Sequence, residues 1–127
     1  MNPYVTTGAR DPAVAHRFYD AVLSTIGYAS HAAFGSWRGY SPDGAGKGFV
    51  VWVCAPFNGE PATVGNGMMV GFPARSKAEV DAFHAAAMAH GGSDEGAPGP
   101  RPNHGQTWYA TYLRDPSGNK IGCYINE

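Results

Sequence analysis

At 127 residues, with 43% hydrophobic and 15% charged residues, the chain has the composition of one globular domain, which excludes disordered and fibrous classes. A formal net charge of −1 excludes an electrostatic footprint for nucleic acid or an anionic membrane surface. No stretch approaches the roughly 20 apolar residues of a membrane helix, and the first residues lack the basic and apolar regions of a signal, so a cytoplasmic protein is expected.

Residues 3–9 alternate and predict a strand. Asp11-Pro12 then opens a helix, because Asp is a favoured N-cap and Pro is tolerated at the first helical position. Val14, Phe18, Val22 and Ile26 recur every four residues and form an apolar stripe, and Gly27 stops the helix. Strands are predicted over 28–34, 36–41 and 48–55, with turn chemistry at Ser41-Pro42-Asp43-Gly44. Residues 56–66, rich in Pro, Gly and Asn, read as a linker.

Met68 to Phe72 reads as the next strand. Ser76, followed three residues later by Glu79, is a capping box, and Val80, Phe83 and Ala87 mark the buried stripe of a second helix that ends at Gly91-Gly92. A Gly/Pro-rich loop is expected through about residue 106. Trp108 to Leu113 is then a strand, Asp115 to Asn119 a turn, and Ile121 to Ile125 the last strand. Cys54 and Cys123 lie inside apolar strands without a CxxC spacing and read as reduced core thiols.

The second half repeats the first. The helix caps lie 65 residues apart (76 − 11) and the glycine stops 64 apart (91 − 27), each about half the chain. The predicted fold is α+β: two βαβββ modules, 1–58 and 66–127, within a single domain spanning 1–127. A helix covers only one face of a sheet, so each module keeps an open face suited to lining a cup. Alternation puts Tyr4, Thr6 and Gly8 on that face in the first strand, Met69, Gly71 and Pro73 in the fifth, and Lys120, Gly122 and Tyr124 in the last.

This pattern, the Phe18-Tyr19-Asp20 helix and above all Arg114-Asp115-Pro116-Ser117-Gly118-Asn119-Lys120-Ile121 resemble the vicinal oxygen chelate superfamily of glyoxalases, bleomycin-resistance proteins and extradiol dioxygenases. The resemblance covers essentially the whole chain. It implies the glyoxalase-type fold, a homodimer, and a cup that in many members holds a divalent metal on His, Glu or Gln. The positions it implies for those ligands fall here on Tyr4, Met69 and Gly122, with Val51 or Trp52 at the end of the first module. A phenol, a thioether and a glycine are not a donor set for a hard or borderline dication, so no cofactor is expected.

The expected ligand is instead a small hydrophobic or aromatic molecule. The candidate contacts are Tyr4, Thr6, Trp37, Trp52, Met69, His104, Trp108, Tyr109, Tyr112 and Tyr124. His104, in a loop before an aromatic strand, is the candidate catalytic residue should there be chemistry. Arg101 could meet an anionic ligand, and Arg114 reads as an ion-pairing turn residue. The helical histidines His16 and His84 read as solvated or interfacial. Two alternatives stay open: a metal-dependent lyase, isomerase or dioxygenase using His104, Tyr4 or His31, and a non-catalytic interaction protein.

Overall fold

The computed structural model describes residues 1–127. The first module runs β1 (Tyr4–Gly8), α1 (Pro12–Ser24), β2 (Tyr28–Phe34), β3 (Trp37–Pro42) and β4 (Val50–Cys54). The second runs β5 (Val70–Pro73), α2 (Lys77–Ala89), β6 (Ser93–Pro100), β7 (Trp108–Arg114) and β8 (Lys120–Asn126). Each module makes a four-stranded sheet, ordered β1-β4-β3-β2 and β5-β8-β7-β6, in which only the first pair is parallel. The α+β fold of two βαβββ modules is therefore as the sequence predicts.

The helix starts follow their caps. The Asp11 side chain accepts from the Val14 N–H at 3.2 Å, and Ser76 accepts from the Glu79 N–H at 3.1 Å. The capping box is displaced by one residue, however. Glu79 reaches back to the backbone N–H of Arg75, at 2.8 Å, and pairs with the Arg75 guanidinium at 2.7 Å. That guanidinium holds the Glu79 carboxyl below its ordinary value.

One expectation is corrected. The segment read as a loop through residue 106 contains β6, an edge strand over Ser93–Pro100. Its Gly96, Pro98, Gly99 and Pro100 mimic loop composition. An edge strand tolerates prolines and bulges because one side of its ladder is free, and the pairing of β6 with β7 slips twice, between Asp94 and Gly96 and between Gly96 and Gly99. The fifth strand also starts two residues late, at Val70, which leaves Met68 and Met69 in the loop before it.

Both modules share one core. Phe18, Val22 and Leu23 of α1, Val51 and Val53 of β4, Phe72 of β5, Val80 and Phe83 of α2, and Leu113, Ile121 and Cys123 of the second sheet form a single buried cluster. Full burial of each such side chain contributes about 1.5–3 kcal/mol. The two helices pack on each other within it, and Tyr28 meets Phe72 edge-on at 5.4 Å between ring centroids. The helix-covered faces of the two sheets thus meet in this core.

The superfamily-like turn closes it. Asp115, 4% exposed, accepts from the Tyr19 hydroxyl at 2.7 Å and from the backbone N–H groups of Ser117 and Asn119 at 2.9 and 3.0 Å. The Asn119 amide donates to Asp115 and, at 2.8 Å, to the Gly8 carbonyl of β1; Ser117 Oγ accepts from the Arg10 N–H. Burial and the Asp115 carboxylate together push the Tyr19 phenol well above its ordinary value. The histidines on the helices are tethers rather than solvated groups: His16 Nε2 contacts the Val53 carbonyl at 3.1 Å, and His84 Nε2 contacts Asp94 at 2.9 Å.

Candidate functional site

Strand register decides which side chains stand on the open faces. On the first sheet Thr6, Trp52 and Gly39 lie side by side across β1, β4 and β3. Gly39 is glycine for contact rather than conformation: a Cβ there would meet three carbons of the Trp52 six-membered ring at 2.7–2.9 Å. Around Trp52 gather Phe34, Trp37 and His31, with ring centroids 5.7, 6.0 and 5.5 Å away, and Phe34 stacks on Trp37 at 9°. His31 is held by the buried Ser41 hydroxyl at 2.9 Å. Tyr4 stands at the start of β1 and is 66% exposed; Phe34 is 60% exposed.

On the second sheet Gly71, Gly122 and Tyr112 lie side by side across β5, β8 and β7. A Cβ at Gly122 would meet the Tyr112 ring at 2.9 Å and Met69 Sδ at 3.4 Å, whereas nothing stands within 4 Å over Gly71. Toward one end of the face, Trp108 and Tyr124 stack at 4.4 Å and 9°, and His104, exposed in its loop, meets Trp108 edge-on at 6.2 Å. Toward the other end, the Lys120 ammonium stands 5.8 Å from the Tyr112 ring centre; on the β6 flank of the same ring, the Arg101 guanidinium stands 5.7 Å from it. A cavity of about 460 Å³ opens there between the 64–69 segment, Arg114 and Lys120.

The candidate residues therefore divide into two groups. Tyr4, Thr6, Trp37 and Trp52 stand on the first face; Met69, Trp108, Tyr112, Tyr124 and the loop residue His104 adjoin the second. Tyr109 belongs to neither. It alternates onto the helix side of β7, where its hydroxyl donates to Asp81 of α2 at 2.6 Å and Lys77 sits 5.6 Å from its ring. That hydrogen bond raises the Tyr109 pKa above its ordinary value. In register, Trp52 beside Thr6 corresponds to Gly122 beside Gly71, while Val51 is buried toward the core.

The two open faces are not closed on each other within one chain, and the cavity is lined by the second module and the segment leading into it. The helices fill the space between the sheets, so each face looks outward. Sequence reasoning missed two participants. Lys120 was visible on the open face by alternation with Gly122, but nothing marked it as unpaired. Glu95, which pairs with Arg114 at 2.9 Å, lay in the segment read as loop. No three His, Cys, Asp or Glu side chains come together anywhere in the chain.

No protein-family model and no curated protein matches the chain. Solved structures do. A glyoxalase/bleomycin resistance protein from Albidiferax ferrireducens T118 is 40% identical, with 97% of each chain covered and a TM-score of 0.87. A glyoxalase-related enzyme from Fulvimarina pelagi (23% identity, 98% of this chain and 86% of that one, TM-score 0.76) and a lactoylglutathione lyase from Agrobacterium tumefaciens (22%, 97% and 91%, 0.65) share the fold. With two βαβββ modules, the Asp115 turn and a relative of this identity over nearly its whole length, the chain belongs to the glyoxalase/bleomycin resistance protein family.

Proposed function

We propose that this chain binds a small hydrophobic or aromatic molecule on the open face of its second sheet, without a metal ion. The observation that carries the reading is the Tyr112 ring seated over Gly122 beside Met69. At the positions where the family resemblance places metal ligands, the chain offers the phenol of Tyr4, the thioether of Met69, the indole of Trp52 and no side chain at all. Mg²⁺ and Mn²⁺ require oxygen ligands and Zn²⁺ requires imidazole, carboxylate or thiolate, so the donors do not fit a divalent cation. The same rings and thioether, next to the open floor over Gly71, suit dispersion and stacking contacts with an organic molecule.

A second copy of the chain supplies what one copy lacks. Phe34 and Tyr4 are too exposed for a surface left in water, and both open faces look outward, so the reading includes a two-fold dimer in which a partner covers them. The free buried thiols Cys54 and Cys123 suit a reducing, cytoplasmic setting.

A thermal-shift screen of naphthalene-class compounds, run with and without a chelator, tests the proposal. A ligand at 100 times its Kd stabilises by about 2.7 kcal/mol, a shift of several degrees at this size. The shift is expected to survive chelation. Stoichiometric metal in the purified protein, whose removal abolishes the shift, would overturn the metal-free reading, and no shift from any compound would overturn the binding itself.

A further inference from the structure

We propose that the ligand of this face is an organic anion: an aromatic body carrying an oxyanion, seated against Tyr112 with its charge toward Lys120. The proposal rests on the reading above and deepens it. Two cations stand within 6 Å of one ring, and neither has a carboxylate partner. Arg101 is fixed instead by three backbone carbonyls, donating to Ala97 at 2.6 Å, Gly99 at 3.0 Å and Pro100 at 3.2 Å. Those bonds orient the guanidinium along the β6 backbone, where its charge also reaches Asp94 and adds to the lowering of that carboxyl. Lys120 makes no hydrogen bond or ion pair to any side chain, and its Cα neighbour across the ladder is Arg114, a third cation.

The acids within reach are already engaged. Glu95 pairs with Arg114, and Asp94 is held by His84, a bond that lowers its pKa. No acidic residue lines the cavity that Lys120 and Arg114 border. Its volume of about 460 Å³ falls in the range of small-molecule sites. An oxyanion seated beside the ring would give Lys120, which no carboxylate holds, a charge-assisted hydrogen bond. The charged end of the ligand enters that cavity, and its aromatic part extends beyond the cavity lining along Gly122 and Gly71, toward the Trp108–Tyr124 stack.

Isothermal titration of the intact protein with 1-naphthoate, 1-naphthyl phosphate and neutral 1-naphthamide tests this. At least one of the two anions is expected to bind about tenfold more tightly than the amide. Which anion leads identifies the oxyanion as carboxylate or phosphate. Lys120→Met is expected to remove most of that preference without weakening the amide, and Lys120→Arg to keep it; Arg101→Met serves as the second variant, with the thermal unfolding of each checked. Amide binding equal to that of both anions would overturn the charge proposal alone. Binding of none of the three would overturn it together with the reading on which it rests.

Discussion

The two open faces share one register and exchange a ring for a glycine. On the first sheet the ring is Trp52 of β4, lying over Gly39 of β3; on the second it is Tyr112 of β7, lying over Gly122 of β8. The exchange decides what the strand next to the sheet edge offers. With Trp52 on β4, the indole stands beside Thr6 and joins Phe34, Trp37 and His31 in a continuous aromatic surface. With glycine on β8, Gly71 and Gly122 leave an open strip bordered by Met69, Tyr112 and the Lys120 cation. One backbone thus carries two chemistries, an apolar aromatic face and a face that carries cations.

The largest expected effect comes from unfastening the two halves. Asp115→Ala leaves the buried Tyr19 hydroxyl and the Asn119 N–H without their acceptor and is expected to cost about 3 kcal/mol in urea unfolding. Asp115→Asn, which keeps one acceptor oxygen, should cost less. An Asp115→Ala loss below about 0.5 kcal/mol would show that the turn does not hold the modules together.

The exchanged glycines come next. Gly39→Ala and Gly122→Ala are each expected to cost about 1–3 kcal/mol, Gly39→Ala more because its Cβ meets the ring at 2.7 rather than 2.9 Å. In double-mutant cycles, Trp52→Ala should relieve the first and Tyr112→Ala the second by at least about 0.5 kcal/mol. Additive costs would mean that the rings are not seated over these glycines in solution.

The thiols compare two kinds of burial: Cys123 faces the shared core, whereas Cys54 lies on the Trp52 side of β4, buried at the end of its strand. Burial raises both, Cys123 up to about 12. Because the folded value lies above the unfolded one, the stabilisation from neutral Cys123 is complete below about pH 9 and is lost as the pH rises toward 12. Cys123→Ala should flatten that alkaline fall, and at pH 8 a disulfide reagent should modify Cys54 well before Cys123. Equal labelling rates in the native protein would contradict the burial.

The smallest stability change is expected at Phe34. Being 60% exposed, Phe34→Ser should move folding stability by no more than about 0.5 kcal/mol in the isolated chain. It should nevertheless shift sedimentation toward the monomer if this face meets a second copy. Unchanged sedimentation of a dimeric protein would place the dimer contact elsewhere.

Much of this was legible in the sequence, because the signals were local. Asp11 and Ser76 announce the helices, alternation assigns the faces of β1, β5 and β8, and the spacing of caps and stops reveals the duplication. β6 was not legible, because a bulged edge strand built on Gly96, Pro98, Gly99 and Pro100 has the composition of a loop. Tyr109 was misplaced for a different reason: aromatic identity suggested a ligand contact, whereas alternation with Thr111 and Leu113 already put it on the helix side. The pairing of Trp52 with Gly39 and of Tyr112 with Gly122 was hidden because it depends on cross-strand register, which no single strand encodes.

The ring seated over Gly122 also limits where mutation can take this chain. A carboxylate at position 122, where the family resemblance places a metal ligand, requires the Tyr112 ring to move, since even the first carbon of the new side chain falls 2.9 Å from it. Shrinking Tyr112 first would remove the ring that Lys120 and Arg101 flank from either side. A new side chain at position 122 and the ring at 112 are therefore coupled, and a change at either position is felt at the other through their packing.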